Sequence, residues 1–216
     1  MIAKLPLRNE PGAAWTYSRS TDILGAVVEV AGGKPLDVLV RERVTGPLGM
    51  TDTAFFQPEA RRARFAEPAT SAMGINYDYA KPTPFLSAGG GLSSTTEDYL
   101  RFVLMLAGEG QYKGVRILKP ETLARMRQDE TTPEIRRAGL FFPGAGMGFG
   151  LGFSLVTDDT VQRPGAGTYS WWGIAGTEFW VDPKNEVFVI FMVQAPERAM
   201  EYQRRNRAWV YDALVK

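Results

Sequence analysis

Tyr17 is the first residue whose type and position suit catalysis. It precedes a predicted helix start in the segment PGAAWTYSRSTDILG, residues 11–25. The chain contains no histidine and no cysteine. Ser-His-Asp and Cys-His catalysis are therefore excluded, and a hydrolytic mechanism must use lysine or tyrosine as its base. The alternative for Tyr17 is structural, because an aromatic residue beside a helix start commonly packs against the first turn.

Two other motifs with chemical potential have simpler interpretations. The glycine-rich segment SAGGGLSS, residues 87–94, is not followed by the Gly-Lys-Ser/Thr of a phosphate-binding loop. We expect its glycines to allow close backbone packing beside a cleft. Asp158 and Asp159 lack the ordered oxygen-ligand spacing of a metal site, so we expect a solvated turn. The sequence therefore predicts no metal and no organic cofactor.

The composition is typical of a globular protein with a small, neutral ligand. Hydrophobic residues make up 44% of the 216 positions, and Lys+Arg 25 against Asp+Glu 24 leaves a net charge of +1. This balance does not indicate nucleic acid or an acidic membrane as a partner. No window approaches the length of a membrane span. The absence of cysteine leaves the redox compartment open.

The elements that must position Tyr17 are mostly helices in the first two thirds of the chain. The first two predicted helices, which lie before residue 51, form a helical hairpin. Residues 51–85 lack periodicity, and we expect an irregular stretch there with at most one short helix. The predicted helices run from a cap at Ser20 or Thr21 to Gly32–Gly33, from Pro35 to the turn before Pro47, from a cap at Thr95, and from Pro120 to Arg127.

The last third of the chain predicts an antiparallel sheet. Residues 148–156, 176–181 and 187–194 are rich in β-branched and aromatic side chains, and they predict three strands. A tight turn at 182–185 joins the last two strands, and an amphipathic helix follows from Glu197 to Lys216. The fold class is α+β, an antiparallel sheet flanked by helices. Three strands ending in the very apolar VFVIFMVQ leave the sheet incomplete.

Three long segments follow one another along the chain. They are PGAAWTYSRSTDILGAVVEVAGGKPLDVLVRERVTGPLGMTDTAFF, then SAGGGLSSTTEDYLRFVLML with GVRILKPET, and last YSWWGIAGTEFWVDP. In this order they resemble the serine beta-lactamase-like hydrolases. This family includes class C beta-lactamases, DD-peptidases and the family VIII carboxylesterases, which this sequence resembles most. The third segment resembles the strand that carries Lys-Thr-Gly in lactamases and Trp-x-Gly in esterases.

The resemblance implies roles for four residues. In that family a Ser-x-x-Lys helix supplies the nucleophilic serine, and a motif tyrosine completes the base. Tyr17 would be that base. Trp171 and Gly173 would form the Trp-x-Gly edge, and the backbone N–H of Ile174 would be one oxyanion donor, with the N–H of the serine as the other.

The sequence departs from the family at the nucleophile. No serine or threonine of this chain is followed by lysine three residues later. In the family that motif lies well upstream of the tyrosine, so we expect residues 1–216 to be the C-terminal portion of a single hydrolase unit. Its helical and loop part would cover about 1–145, and its strands and C-terminal helix about 146–216. The fold would be beta-lactamase/transpeptidase-like, without its N-terminal strands and nucleophile helix.

A second departure concerns substrate recognition. Arg19 stands where lactamases and peptidases have asparagine, and Trp171 stands where lactamases have lysine. An aromatic edge suits an uncharged acyl or alcohol group, whereas lysine recognises a carboxylate. These two changes favour an esterase over a lactamase and place Arg19 among the substrate-binding residues.

The sequence leaves several functional hypotheses open. The first is a carboxylesterase that acts on short-chain esters through an acyl-enzyme, with the serine outside this chain. The second is a short homologue without catalysis that acts as a binding module and self-associates through its apolar sheet edge. A third is a split enzyme, in which a complementing N-terminal segment supplies the serine helix. A beta-lactamase or DD-peptidase remains the alternative chemistry.

Overall fold

The computed structural model describes residues 4–67, 78, 80–138, 141, 143–160 and 164–214. The helices described are α1 (Ser20–Gly32), α2 (Leu36–Val40), α3 (Thr96–Ala107), α4 (Pro120–Met126), α5 (Pro133–Arg137) and α6 (Ala199–Ala213). The strands described are β1 (Gln111–Tyr112), β2 (Val115–Arg116), β3 (Met147–Phe149), β4 (Ser154–Val156), β5 (Tyr169–Trp172), β6 (Glu178–Asp182) and β7 (Val187–Phe191).

The main sheet has five antiparallel strands in the order β3-β4-β5-β6-β7. The expectation of three strands is wrong. The segment 148–156 folds back on itself as the β3–β4 hairpin, because Gly152 adopts a φ of 91° that side-chain-bearing residues rarely reach. The strand β5, which lies outside the three predicted segments, brings the number of strands to five. The fold class of an antiparallel sheet flanked by helices is confirmed.

The two faces of the sheet pack against different helices. Phe179 and Val181 of β6 point to the side of α3 and join a core that includes Val103 and Leu106. Residues that alternate with them point to the opposite side. There Trp180 and Asp182 meet α6, where the Trp180 indole N–H donates to the Tyr211 hydroxyl, which in turn donates to the Asp182 carboxylate.

Most predicted helices are present, with changes at their ends. The first begins at Ser20, but its N-cap is Arg19 and no side chain caps it. The predicted cap of α3 is confirmed, since Thr95 Oγ1 accepts from the Asp98 N–H. The second helix leaves the α form after Val40 and continues as a π-helix over Arg41–Thr45.

The irregular and terminal segments follow the predictions in outline. The described part of 51–85 contains one 3₁₀-helix, Glu59–Arg64, while residues 68–77 and 79 of that stretch lie outside the described residues. The last α-helix starts at Ala199, after a 3₁₀-helix over Pro196–Arg198, and Lys216 lies outside the described residues. The short β1–β2 hairpin and α5 are not among the predicted elements.

Candidate active site

An aromatic cluster brings together residues that are far apart in the sequence. The Tyr17 ring lies 5.8 Å from the Trp171 ring, measured between centroids. Phe149 packs edge-on against Trp171 at 5.2 Å. Trp15 contacts Phe149 at 5.3 Å and stacks on Tyr17 at 6.1 Å. We call Trp15, Tyr17, Phe149 and Trp171 the aromatic cluster; it joins the segment before α1 to two strands of the sheet.

The register of the sheet explains which tryptophan reaches this cluster. Trp171 is paired with Phe179 of β6, so it points to the side of the main core. Trp172 is paired with Glu178 and belongs to the other side of the sheet. The sequence favoured Trp171 as the one of the pair that lines a cleft, and the structure places it on the same side as Tyr17.

Tyr17 remains accessible within the cluster. Its side chain is 61% exposed although its ring packs on two indoles. A residue exposed to this extent can contact a molecule bound at this surface. The geometry therefore suits proton transfer to or from a ligand at this surface.

Asp22 ties α1 to the glycine-rich loop. Its buried carboxylate accepts hydrogen bonds from Ser87 Oγ at 2.6 Å and from the Gly89 N–H at 3.1 Å. Burial raises the pKa of Asp22, but these two hydrogen bonds and the Arg19 charge outweigh burial and hold the pKa below its ordinary value. The start of α1, and with it the segment that carries Tyr17, is thereby fixed against the loop.

Close packing explains the glycines at this junction. A Cβ added to Gly25 of α1 would lie 2.7 Å from the Ala88 Cβ, and one added to Gly91 would lie 2.8 Å from the Ser87 carbonyl oxygen. Both separations are shorter than side chains tolerate. The prediction of close backbone packing in the segment 87–94 is confirmed for Gly91, whereas a Cβ on Gly90 would meet nothing within 4 Å.

The turn between β5 and β6 presents an open backbone amide. The Gly173 N–H donates to the Thr177 carbonyl at 2.8 Å, and the Gly176 N–H donates to the Gly173 carbonyl at 3.0 Å. A Cβ on Gly173 would lie 2.5 Å from Thr177 Oγ1, so a side chain there would displace Thr177. Within the described parts of the chain, the Ile174 N–H donates to no protein acceptor. An amide in this position is available to an oxyanion.

The region around α6 supports this turn from the far side of the sheet. The Ala195 N–H donates to the Ala175 carbonyl at 2.8 Å, which joins the turn to the segment before α6. Arg207 of α6 binds the buried Glu178 carboxylate through Nε at 3.0 Å and Nη2 at 2.8 Å. Burial raises the pKa of Glu178, and the Arg207 charge opposes that rise without cancelling it.

The structure thus brings the predicted residues together to different degrees. Tyr17 and Trp171 touch, and Gly173 and Ile174 follow Trp171 in the same turn. Arg19 lies two residues after Tyr17 and contacts Asp22 rather than the cluster. Sequence reasoning missed three contributors. These are Trp15, which lies two residues before Tyr17 in the first segment, Asp22 in the same segment, and Phe149 in a predicted strand.

Comparison with protein families identifies the fold. The family model described as Beta-lactamase matches residues 1–213. The chain belongs to the Beta-lactamase family. Within the part of the chain that the structure describes, no helix is both long and apolar enough to cross a membrane.

Relatives of this chain include esterases. Protein Rv1367c of Mycobacterium tuberculosis is 41% identical over 209 residues, which cover 89% of this chain and 52% of that protein. Esterase EstB of Burkholderia gladioli is 31% identical over 227 residues, which cover 92% of this chain and 54% of EstB. The chain spans about half the length of these relatives.

A solved structure agrees with this assignment. EstCE1, described as a hydrolase with promiscuous acyltransferase activity, superimposes with a TM-score of 0.78 at 26% identity. The match covers 97% of this chain and 59% of EstCE1. The predicted beta-lactamase/transpeptidase-like fold is confirmed.

Proposed function

We propose that this chain is the C-terminal portion of a serine hydrolase that cleaves short-chain carboxylic esters through an acyl-enzyme. The observation that carries the proposal is the contact between Tyr17 and Trp171 on the strand that leads into the open Ile174 amide. In this proposal Tyr17 transfers the proton, Trp171 forms an apolar wall of the site, and the Ile174 N–H donates to the oxyanion. The similarity to Esterase EstB supports ester rather than lactam chemistry.

The proposed mechanism assigns a step to each residue. A serine outside this chain attacks the ester carbonyl carbon, and its proton passes to a base that includes Tyr17. The Ile174 N–H and the N–H of the serine bind the oxyanion of the tetrahedral intermediate. The intermediate collapses to an acyl-enzyme, and Tyr17 protonates the departing alcohol. Water then attacks the acyl carbon and gives a proton to the same base, which returns it to the serine oxygen as the acid departs. Neither step uses a metal or an organic cofactor.

The partial coverage of the relatives supports the proposal that the serine lies outside this chain. Because the chain spans about half of each curated relative, we place the serine in the remaining half. Residues of about 1–145 would form the helical and loop part, and about 146–216 the strands and last helix. Two apolar surfaces suit that missing partner: the edge strand β7 and the exposed side of α1.

A second candidate function is a binding module without catalysis. The observation that favours it is the exposure of large apolar side chains along α1, including Leu24 and Val27. A chain that self-associates or binds another protein through this surface would have no need of Tyr17 as a base. Beta-lactam or peptide hydrolysis is less favoured, because Trp171 offers no charge to a substrate carboxylate.

The experiment compares this chain alone with the complete protein that contains it, using p-nitrophenyl butyrate and a chromogenic beta-lactam. We expect ester hydrolysis by the complete protein only. Replacing its Ser-x-x-Lys serine with alanine should abolish turnover. Tyr17→Phe should lower kcat by about a hundredfold or more, the usual contribution of a general acid–base group.

The matched control is Tyr112→Phe, which changes a tyrosine of the β1–β2 hairpin and should leave kcat unchanged. Full activity in the Tyr17→Phe variant would remove Tyr17 from the mechanism. Lactam turnover faster than ester turnover would favour a lactamase. A complete protein that hydrolyses neither compound would favour the binding module.

A further inference from the structure

Trp15, Tyr17, Trp171 and Phe149 form a closed circuit of ring contacts. The Tyr17 ring contacts both indoles, with its centroid 6.1 Å from Trp15 and 5.8 Å from Trp171. Phe149 contacts the same two indoles, at 5.3 Å and 5.2 Å. Trp171 lies on β5 and Phe149 lies on β3, so the sheet fixes the backbone of both. Trp15 is therefore a second connection between Tyr17 and the sheet, beside Trp171.

The backbone around Tyr17 does not belong to a regular element. Residues 14–17 are neither helix nor strand, and α1 begins only at Ser20. Burial does not fix the side chain either, because Tyr17 is 61% exposed. An exposed side chain without packing contacts moves among its staggered rotamers. The ring contacts with the two indoles restrict this motion.

Stacking on Trp15 sets the plane of the Tyr17 ring. The planes of these two rings differ by 14°, whereas Trp171 meets the Tyr17 ring at 49°. Stacking of offset, nearly parallel rings is one of the favoured arrangements of aromatic pairs. Loss of the Trp15 indole would therefore leave the Tyr17 ring free to tilt, even with Trp171 in place.

Two phenylalanines hold Trp15 itself. Phe149 and Phe141 both pack edge-on against the indole, at 5.3 Å and 5.5 Å. Asp129 supports both phenylalanines, because its carboxylate accepts from the Phe149 N–H at 3.1 Å and forms an ion pair with Arg136. The Arg136 guanidinium lies over the Phe141 ring, 5.6 Å from its centroid. Side chains of the sheet and of the segment before β3 thus hold the indole on which Tyr17 stacks.

Proton transfer depends on the orientation of the Tyr17 ring. A group that transfers a proton must come within hydrogen-bond reach of the reacting atom, at about 2.6 to 3.2 Å. A misplacement of about 1 Å can lower the rate about a hundredfold. The phenol oxygen lies at the far end of the side chain, so a tilt of the ring displaces this oxygen more than the ring carbons.

We infer that Trp15 is a positioning residue for Tyr17: its indole, held by Phe141 and Phe149, fixes the ring that carries the phenol oxygen during proton transfer. The inference rests on the proposed function for the proton transfer itself. The fixing of the Tyr17 ring by Trp15 is a separate statement, and it is tested on the 216-residue chain without catalysis.

The first test measures the motion of the Tyr17 ring in the 216-residue chain. The chain would carry 3-fluorotyrosine at its 8 tyrosines, and Tyr17→Phe would identify the fluorine resonance of Tyr17. We expect Trp15→Ala to move this resonance toward its position in the urea-unfolded chain and to narrow it, because the ring gains motion. Trp15→Phe should keep most of the original width, since phenylalanine can still stack on Tyr17.

The matched control is Trp209→Ala, which removes an exposed tryptophan of α6. It should leave the position and the width of the Tyr17 resonance unchanged, and circular dichroism should show that all variants retain the fold. The width decides the inference, because loss of the indole ring current can by itself move the resonance. An unchanged width in Trp15→Ala would overturn the inference.

The second test measures catalysis by the complete protein with p-nitrophenyl butyrate. Trp15→Ala should lower kcat about tenfold and leave KM unchanged, as a partial misplacement of Tyr17 would. Trp15→Phe should restore most of the lost kcat, and Trp209→Ala should change neither constant. A raised KM with unchanged kcat would make Trp15 a wall of the substrate site and would overturn the inference, as would two unchanged constants.

A combined variant shows whether Trp15 acts through Tyr17. Tyr17→Phe keeps the ring and removes the phenol oxygen, so Trp15→Ala should cause no further loss of kcat in that background. The same tenfold loss in both backgrounds would contradict a role that acts through Tyr17. If the complete protein hydrolyses no ester, the proposed function fails, and the width of the Tyr17 resonance still decides whether Trp15 fixes the ring.

Discussion

The helices α1 and α3 have similarly apolar sequences and very different surroundings. In α3 Val103 and Met105 are 0% exposed and Leu106 is 1% exposed, because this helix covers one face of the main sheet. In α1 Leu24 is 57% exposed and Val30 is 86% exposed. An apolar pattern therefore predicts a helix, but it does not say whether the same chain supplies the cover for its apolar side.

Both polar and apolar contacts hold α1 in place. Asp22 is hydrogen-bonded to Ser87 and Gly89, and Gly25 allows the helix to approach Ala88 closely. These contacts lie at the end of α1 that follows Tyr17. The other end of α1 is held by α2, because the Leu36 N–H donates to the Glu29 carboxylate and Gly32 lies close to Leu39. The apolar side that carries Leu24, Val27 and Val30 stays exposed.

The largest expected effect compares one leucine from each helix. Leu106→Ala should lower the free energy of unfolding by about 2 to 5 kcal/mol, because it leaves a cavity in the main core. Leu24→Ala removes the same atoms from an exposed site and should cost about 0.5 kcal/mol or less. Urea denaturation of both variants measures the difference. Similar losses would mean that the α1 surface is covered in solution, for example by a second copy of the chain.

An intermediate effect tests the polar anchor of α1. Asp22→Ala leaves the Ser87 hydroxyl and the Gly89 N–H without their acceptor, which should cost about 1 to 3 kcal/mol. Ser87→Ala should cost less, since Gly89 keeps its partner. In the double variant the two losses should not add, and a double-mutant cycle from urea denaturation measures the coupling. Additive losses would show that the anchor contributes nothing as a unit.

The smallest expected effect is on the pH dependence of the free energy of unfolding, to which Asp22 and Glu178 contribute with opposite signs. The pKa of Asp22 lies below its ordinary 3.8, so its contribution to stability is complete above that value and is lost as pH falls below it. The pKa of Glu178 lies above its ordinary 4.5, so its contribution is present below 4.5 and is lost as pH rises through the raised pKa.

Comparison with Asp22→Asn and Glu178→Gln isolates these two contributions. Unfolding free energies would be measured across the acid range on both sides of 3.8 and 4.5. Relative to Asp22→Asn, the unsubstituted chain should lose stability on acidification. Relative to Glu178→Gln, it should lose stability as pH rises. Two slopes of the same sign would contradict the assigned environment of one carboxylate.

Local signals in the sequence were reliable where one residue decides the structure. The Thr95 cap was predicted from residue type alone, because capping is a local requirement, and so was the close backbone packing at Gly91. The β3–β4 hairpin was missed because the prediction of one strand gave no weight to the three glycines of residues 148–156, of which Gly152 adopts a left-handed φ and turns the chain. Phe149 was missed as a site residue because it lies on β3 of this hairpin and reaches Trp15 and Trp171 only in the folded sheet.

The sequence by itself determined the family, the α+β class and the chemistry that a chain without histidine or cysteine excludes, since these depend on residue types and their order. Only the tertiary structure decided that Tyr17 packs on Trp171, that Trp172 belongs to the other side of the sheet, and that α1 keeps an open apolar side. Strand register and the choice of packing partner depend on contacts between residues distant in the chain, and periodicity within one segment carries no information about them.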